Sequence, residues 1–184
     1  MQFVARVDVG DVQFDDGPFE SLQRVQHGDP TASGRIHEQM NEKRIHKFDR
    51  LRKRDDLFRI EGEASAPLGL ISWGSIAGVC REAMALANAE GLQVKLLVPY
   101  LLFPVNEGVY RRFFSSMKAG LVVEQSYLGQ LYRVLRMMLD VPVGLKSFSR
   151  SGANPFQPSE IVRKLHDHAL DLQQHEIATR QPQE

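Results

Sequence analysis

The chain has 184 residues, of which 42% are hydrophobic and 25% are charged, and its 23 basic residues balance its 23 acidic residues. This composition is typical of a soluble globular domain with its own hydrophobic core. Because a neutral chain has no general attraction to nucleic acid or to an anionic membrane, we expect neither as a partner.

The single cysteine, Cys80, excludes an internal disulfide and is typical of a protein in a reducing compartment. Residues 1–16 lack the long apolar run of a signal peptide, and no stretch approaches the roughly 20 apolar residues of a membrane-spanning helix. We therefore predict a cytoplasmic protein that does not cross a membrane.

The first 66 residues are polar and irregular in their pattern. Residues 1–34 are predicted to form an irregular N-terminal segment with a short strand at residues 3–9, and Ser33 is a candidate N-cap. A helix without internal glycine or proline is predicted at residues 35–58, and residues 35–66 are interpreted as a basic linker helix. Because acidic residues are interleaved with the basic ones, we expect it to face solvent or another subunit rather than nucleic acid.

Residues 67–172 alternate between short apolar runs and amphipathic stretches, as in an α/β domain. Strands are predicted at residues 68–73, 93–99, 121–124 and 143–146, and helices at residues 75–90, 106–117, 128–139 and 158–172. Such alternation predicts a three-layer α/β/α fold, in which helices cover both faces of a mostly parallel sheet. Residues 173–184 have little to bury and are predicted to be a flexible tail.

The first candidate site lies where the first strand of this domain passes into a helix. Gly74, Ser75 and Gly78 lie there, and the free N–H groups of a helix start can hold an anion. The stretch lacks both the GxGxxG pattern of dinucleotide-binding turns and the Lys-Ser/Thr of a P-loop. We therefore favour a plain turn capped by Ser75 over a ligand site.

The second candidate site follows the third strand and contains Glu124, Gln125, Tyr127 and Gln130. The carboxyl ends of such strands place functional groups in a crevice. General acid or base catalysis needs a second titrating group within reach, and none is evident. We therefore favour a structural or interface role, in which Glu124 pairs with backbone N–H groups or a basic side chain and Gln130 caps a helix or bridges a subunit contact.

None of the other reactive side chains is predicted to be catalytic or to bind a metal. His166 and His168 are two residues apart and point to different faces of a helix. His37 and His46 are nine residues apart and have no cysteine or carboxylate partner at ligand spacing. Cys80 lies in an alanine-rich stretch and is interpreted as a small buried residue rather than a nucleophile.

Three elements in order resemble the alpha subunits of 2-oxoacid:ferredoxin oxidoreductases of the 2-oxoglutarate or pyruvate type. Residues 38–51, with Met40 and the Glu-Lys-Arg of residues 42–44, resemble the basic linker helix before the last domain of that family. Residues 70–75 with Gly78 resemble the strand, turn and helix that open this domain. Residues 122–131 resemble the family segment that contains VVE and GQL. The resemblance covers about residues 35–165.

This resemblance implies a function for a larger complex. The family oxidatively decarboxylates a 2-oxoacid to an acyl-CoA and passes electrons to ferredoxin, using thiamine diphosphate, Mg²⁺ and iron–sulfur clusters. The domain similar to this chain is a C-terminal domain of the transketolase type, which supports assembly and does not carry the thiamine. The resemblance therefore implies that this chain binds no cofactor and is inactive alone. Its partners would be the remaining alpha-subunit domains and the beta subunit, with ferredoxin reached through the complex.

Two other hypotheses remain open, and self-association of the chain is also undecided. One is a stand-alone α/β module that holds a small anion at Gly74 and Ser75, near Gln125; the other is a small enzyme that uses Glu124. The assembly hypothesis instead predicts an exposed apolar surface. The candidates for this surface are Tyr100, Leu101, Leu102, Phe103, Phe113, Phe114 and Tyr127. At least half of the aromatic candidates are expected to lie in the core instead.

Overall fold

The structure is a computed structural model that describes residues 34–180, and the side chains of these residues except 173 and 175–180. The chain divides into two compact units, Met1–Ile45 and His46–Glu184. Helix α1 (Gly34–His46) has no buried residue. The strand predicted at residues 3–9 and the Ser33 cap lie outside the described residues. None of the helices in the described part of the chain has the length and apolar character that a membrane span requires.

The second unit contains a five-stranded sheet in the order β1-β3-β2-β4-β5. Its strands are β1 (Phe58–Glu61), β2 (Leu68–Ser72), β3 (Val94–Pro99), β4 (Ala119–Glu124) and β5 (Gly144–Ser149). β1 pairs antiparallel with β3 at one edge, and the other pairs are parallel. Every residue of β2, β3 and β4 is buried, because helices cover both faces of these central strands.

Four helices form the outer layers. They are α2 (Ile76–Ala89), α3 (Glu107–Phe114), α4 (Gln130–Met138) and α5 (Pro158–Arg180). α2 and α5 pack on one face of the sheet, against a core that includes Leu70 and Leu121. α3 and α4 pack on the other face, against a core that includes Ile71 and Val122. The predicted three-layer fold with a mostly parallel sheet is therefore confirmed, as are the order and type of the elements predicted between residues 68 and 172.

The helix predicted at residues 35–58 is wrong after His46. Single 3-10 turns follow at Leu51–Lys53 and Asp55–Leu57, and the chain then enters β1. Phe58 pairs with Pro99 of β3, and its ring packs edge-on against Tyr110 at 5.9 Å between centroids. Pairing with β3 and burial of Phe58 outweigh helix propensity, which is only a weak preference. The interpretation of residues 35–66 as a linker helix is corrected accordingly.

The predicted end of the last helix at residue 172 is also wrong. α5 continues to Arg180, so residues 173–180 are helical, and the flexible tail stays a prediction. These residues include no glycine or proline, and a helix that is already nucleated extends at little cost through residues of good propensity. Residues 181–184 lie outside the described residues, and the domain boundaries proposed from the sequence stay predictions.

The topology brings the two candidate sites together. From β2 the chain crosses through α2 to β3 on one side, whereas from β4 it crosses through α4 to β5 on the other side. β2 and β4 are adjacent, with Ser72 paired to Val123. Their following loops diverge from a topological switch point, which is the usual ligand-binding position in open α/β sheets.

Candidate functional site at the carboxyl edge of the sheet

Glu124 ends β4 and is buried, with 1% of its surface exposed. Its carboxylate accepts hydrogen bonds from the backbone N–H groups of Leu131 at 3.0 Å and Tyr132 at 3.1 Å, and from the Ser126 hydroxyl at 3.2 Å. The first N–H groups of a helix have no partner within the helix, and a negative charge there is favourable. The expected pairing of Glu124 with backbone N–H groups is thus present, and Glu124 caps α4.

The loop between Glu124 and α4 is also held by contacts at its carboxyl end, next to α4. Gly129 has a left-handed backbone with φ of 62°, and a Cβ atom there would lie 2.6 Å from Ser147 Oγ, so only glycine fits without displacement. The Gln130 backbone N–H donates to Ser126 Oγ at 3.2 Å. Gln130 itself is exposed at the first position of α4. These contacts hold a tight loop over residues 125–129.

Gln125 connects this loop to the segment between β5 and α5. Its side-chain amide donates to the Gly152 carbonyl at 2.5 Å, and the Arg150 backbone N–H donates to the Glu124 carbonyl at 3.3 Å. The Arg150 guanidinium lies 4.3 Å from the centre of the Phe156 ring and pairs with Glu160 at 2.9 Å. Its hydrogen bond holds the pKa of the Glu160 carboxyl below the usual value. One N–H of the exposed Gln125 amide is therefore bonded to the domain's own backbone.

The turn after β2 is open. Gly74, with φ of 63°, Ser75 and Gly78 are all exposed, and a Cβ atom at either glycine would meet nothing within 4 Å. The predicted Ser75 cap is wrong, because its side chain makes no capping hydrogen bond. Ser75 already has helical backbone angles, with φ of −65° and ψ of −28°, whereas a capping side chain normally requires an extended backbone.

Reactive side chains elsewhere are buried in structural positions. Cys80 is fully buried in α2, and burial raises the pKa of its thiol to about 11, which confirms that it is a small buried residue. His168 is buried on α5, and its burial lowers the pKa of the imidazole. Among residues 34–180, no three histidine, cysteine, aspartate or glutamate side chains converge as a metal site would require.

Exposed large apolar side chains follow the carboxyl ends of three neighbouring strands. This edge patch consists of Trp73, Tyr100, Phe103, Tyr127 and Leu128. Tyr127 is the most exposed of the five at 81%, and Leu128 is 50% exposed. Monomeric proteins seldom leave such a group of side chains in solvent, so the patch is a candidate interface.

The surface candidates predicted from the sequence are placed in both environments. Tyr100, Phe103 and Tyr127 are exposed, whereas Phe113 is fully buried in the core. The expectation that at least half of the aromatic candidates lie in the core is therefore wrong, because three of the five are exposed. The remaining candidates are partly buried against the same core, namely Leu101, Leu102 and Phe114. Sequence reasoning missed Trp73 and Leu128 as surface residues. The signal for Trp73 was its position directly after a strand whose residues are all buried.

The curated proteins that are similar to this chain share one description. No family model matches the chain. The alpha subunit of 2-oxoacid:ferredoxin oxidoreductase 2 from Aeropyrum pernix is 27% identical over 118 residues, which cover 62% of this chain and 18% of that relative. The alpha subunit of 2-oxoacid:ferredoxin oxidoreductase from Saccharolobus solfataricus is 27% identical over 103 residues, which cover 54% of this chain and 16% of that relative. The chain thus spans less than a fifth of the length of these curated relatives.

A solved structure shares the fold. The 2-oxoglutarate:ferredoxin oxidoreductase from Magnetococcus marinus, determined with 2-oxoglutarate, coenzyme A and succinyl-CoA bound, superposes with a TM-score of 0.68 at 35% identity. The match covers 77% of this chain and 24% of that chain. The resemblance predicted from the sequence is therefore confirmed: the chain is similar in sequence to part of the alpha subunits of 2-oxoacid:ferredoxin oxidoreductases, and in fold to part of such an enzyme.

Proposed function

We propose that this chain is a non-catalytic assembly domain from the C-terminal part of the alpha subunit of a thiamine diphosphate-dependent 2-oxoacid:ferredoxin oxidoreductase. The complete complex, in the cytoplasm, oxidatively decarboxylates a 2-oxoacid to an acyl-CoA. One observation carries the proposal: at the switch point, the Glu124 and Gln125 side chains are bonded to the chain's own backbone, and large aromatic side chains that follow the neighbouring strands are exposed. This arrangement favours packing against protein over binding a small substrate.

The chemistry of the site supports a structural role. Both carboxylate oxygens of Glu124 accept hydrogen bonds from α4, so the group caps a helix and does not face a reactant. A general base must reach the proton that it removes. The Gln125 amide donates one hydrogen bond to the Gly152 carbonyl, which ties this side chain to the segment after β5. The Glu124 enzyme hypothesis therefore has the least support.

The cofactors of the family do not fit the described residues. An iron–sulfur cluster usually needs four cysteine thiolates, whereas this chain has one cysteine, and its thiol is buried. No converging set of metal-ligating side chains occurs within residues 34–180. Thiamine diphosphate, Mg²⁺ and the clusters accordingly belong to other domains of the proposed complex, and we assign this chain no step of the reaction.

The proposed partners are the remaining domains of the alpha subunit and the beta subunit, with ferredoxin bound by the complex as a whole. Aromatic residues are enriched at protein interfaces, where the buried centre of the contact is mainly apolar. The edge patch has this character, since it contains four aromatic side chains and one leucine. Burial of these side chains would supply the main stabilisation of the contact.

The proposal is tested by purifying the tagged chain from its native host and assaying the eluate for dye reduction that requires both a 2-oxoacid and CoA. We expect activity, thiamine diphosphate and iron in the eluate, and none of the three with the purified chain alone. Untagged extract passed over the same resin is the control. Recovery of the folded chain without these partners, from cells that contain the oxidoreductase, would overturn the proposal.

The alternative function is a stand-alone module for a small anion at the turn of Gly74 and Ser75. The open space above Gly74 and the Ser75 hydroxyl, which makes no capping hydrogen bond, favour it. Titration calorimetry with inorganic phosphate separates the two functions. Saturable binding that is lost in Ser75→Ala would support the module, whereas no heat of binding, together with recovery of the oxidoreductase partners, would leave the assembly function.

A further inference from the structure

We propose that Tyr127 and Leu128 form a preorganised anchor that inserts into an apolar pocket on the rest of an alpha subunit, outside the segment that this chain matches. The pocket is expected to offer a hydrogen-bond acceptor to the Tyr127 hydroxyl. This inference rests on the proposed function and adds to it the residues that make the contact and the chemistry of the surface that receives them.

The exposure of the anchor is unusual for a short loop. Tyr127 is 81% exposed and Leu128 is 50% exposed, and they are adjacent in the chain. Loop positions usually carry polar or turn-forming residues, because solvent surrounds them. A tyrosine has a large ring, few rotatable bonds and one polar end, which makes it one of the residues that contribute most at the centre of interfaces.

The backbone beneath the anchor is held in one conformation. Glu124 fixes the turn from inside through two backbone N–H groups of α4, and the Ser126 hydroxyl donates to the same carboxylate. Gln125 is bonded to Gly152, and Gly129 closes the loop with a left-handed backbone. These contacts immobilise the loop and leave its two large side chains in solvent. A loop that is ordered before binding loses less conformational entropy when it binds.

The surroundings of the anchor decide the chemistry of the occupant. Two of the nearby charges are neutralised within the fold, because the Glu124 carboxylate is buried among N–H donors and Arg150 is paired with Glu160. Trp73 follows β2 directly beside β4, so the anchor has an aromatic neighbour on the same edge of the sheet. A surface of large apolar side chains fits an apolar pocket on another protein domain.

The lengths of the similar proteins support the choice of partner. The matched segments make up 18% and 16% of the two curated relatives, so more than four fifths of each relative lies outside the matched segment. A domain within a longer subunit packs against its neighbours through surfaces of this kind. The remaining part of the alpha subunit is therefore the occupant to which the proposal commits.

The test is site-specific photo-crosslinking with p-benzoylphenylalanine in place of Tyr127, in the full chain expressed in its native host. The matched control carries the same group in place of Leu170, which is 56% exposed on α5. We expect the Tyr127 position, and not the Leu170 position, to crosslink to a polypeptide that corresponds to the remainder of an alpha subunit. Crosslinks from Leu170 alone would overturn the anchor while leaving the assembly function intact. A Tyr127 crosslink only to a second copy of this chain would also overturn the anchor, whereas the absence of the oxidoreductase from both purifications would count against the proposed function itself.

A second measurement gives the size of the effect. Dye-reduction activity recovered with the tagged chain is expected to fall about thirtyfold in Tyr127→Ala, the ratio that corresponds to a hot-spot residue of about 2 kcal/mol. Tyr127→Phe, which keeps the ring, should lose only a few-fold, and Leu170→Ala should match the unchanged chain. Equal melting temperatures of the four proteins show that folding is unaffected. Full recovery with Tyr127→Ala would refute the anchor.

Discussion

At the scale of single residues, the buried polar side chains of this domain differ in how completely they are hydrogen-bonded. Glu124 follows an apolar strand, as catalytic carboxylates often do, but its oxygens accept backbone hydrogen bonds from Leu131 and Tyr132. Tyr110 has the opposite environment, since its hydroxyl is buried and has no hydrogen-bond partner among the described residues. Burial accordingly raises the pKa of the Tyr110 phenol.

Tyr110→Phe is expected to leave the free energy of unfolding unchanged or to raise it by up to about 1 kcal/mol, because it removes a buried hydroxyl without a protein partner. Urea denaturation measures the difference. Tyr132→Phe is the matched control, since the Tyr132 hydroxyl donates to the Leu145 carbonyl at 3.3 Å, and its loss should cost about 0.5–1.5 kcal/mol. A larger loss in Tyr110→Phe than in Tyr132→Phe would contradict this assignment.

His168 should make the stability of the domain depend on pH. Burial is the main reason that its pKa lies below the ordinary value, and Lys146 and Lys164 lower it further, whereas Asp171 and Asp167 oppose the shift. Between the folded and unfolded pKa values the unfolded chain binds the proton and the folded chain does not, so stability falls as the pH drops through about 6.5.

The change to test is His168→Gln, which removes the titrating group. Free energies of unfolding measured in urea at about pH 7.5 and about pH 5.5 should differ less for this variant than for the unchanged chain. An equal pH dependence of the two proteins would show that His168 does not contribute. Comparing the two proteins at each pH cancels the contributions of the other titrating groups.

At the scale of elements, the ends of helices and strands are decided by contacts with other parts of the fold. α4 begins where Gly129 turns the chain back over β5, and α1 ends at His46 although no glycine or proline follows until Gly62. In the first case the left-handed backbone and the crowding by Ser147 select glycine. In the second case two 3-10 turns follow the helix and lead the chain into β1, which pairs with β3.

Gly129→Ala is expected to lower the free energy of unfolding by at least about 1–2 kcal/mol, the usual cost of a left-handed conformation for a residue with a Cβ atom. Contact with Ser147 Oγ at 2.6 Å should add to it. Gly78→Ala is the control, because Gly78 lies inside α2 and an added methyl group there would have nothing within 4 Å. This second change should stabilise the domain by about 0.5–1 kcal/mol. Thermal unfolding followed by circular dichroism shows whether each variant is less stable or more stable than the unchanged chain.

At the scale of the whole second unit, one central sheet carries two apolar cores. Leu70 and Ile71 are consecutive residues of β2, both fully buried, and they point into opposite cores. Because the same strand anchors both helical layers, neither core can be lost without disturbing the other. This coupling predicts cooperative unfolding of the sheet and its helices.

Leu70→Ala and Ile71→Ala are each expected to lower the free energy of unfolding by about 2–5 kcal/mol while keeping a single transition. Circular dichroism reports on the helices, and the fluorescence of Trp73, the single tryptophan, reports on the carboxyl edge. The two signals should give the same urea midpoint in each variant. Separate midpoints would mean that the two layers unfold independently.

The sequence by itself determined the order and type of the elements between residues 68 and 172, because the spacing of apolar residues records which faces of each helix and strand are buried. It also carried the resemblance to 2-oxoacid:ferredoxin oxidoreductases, through short motifs in a particular order. Only the tertiary structure decided that residues 58–61 form a strand, that Glu124 caps α4, and that Tyr127 is exposed while Phe113 is buried. These outcomes depend on contacts between residues far apart in the chain, and the local pattern around each residue does not contain that information.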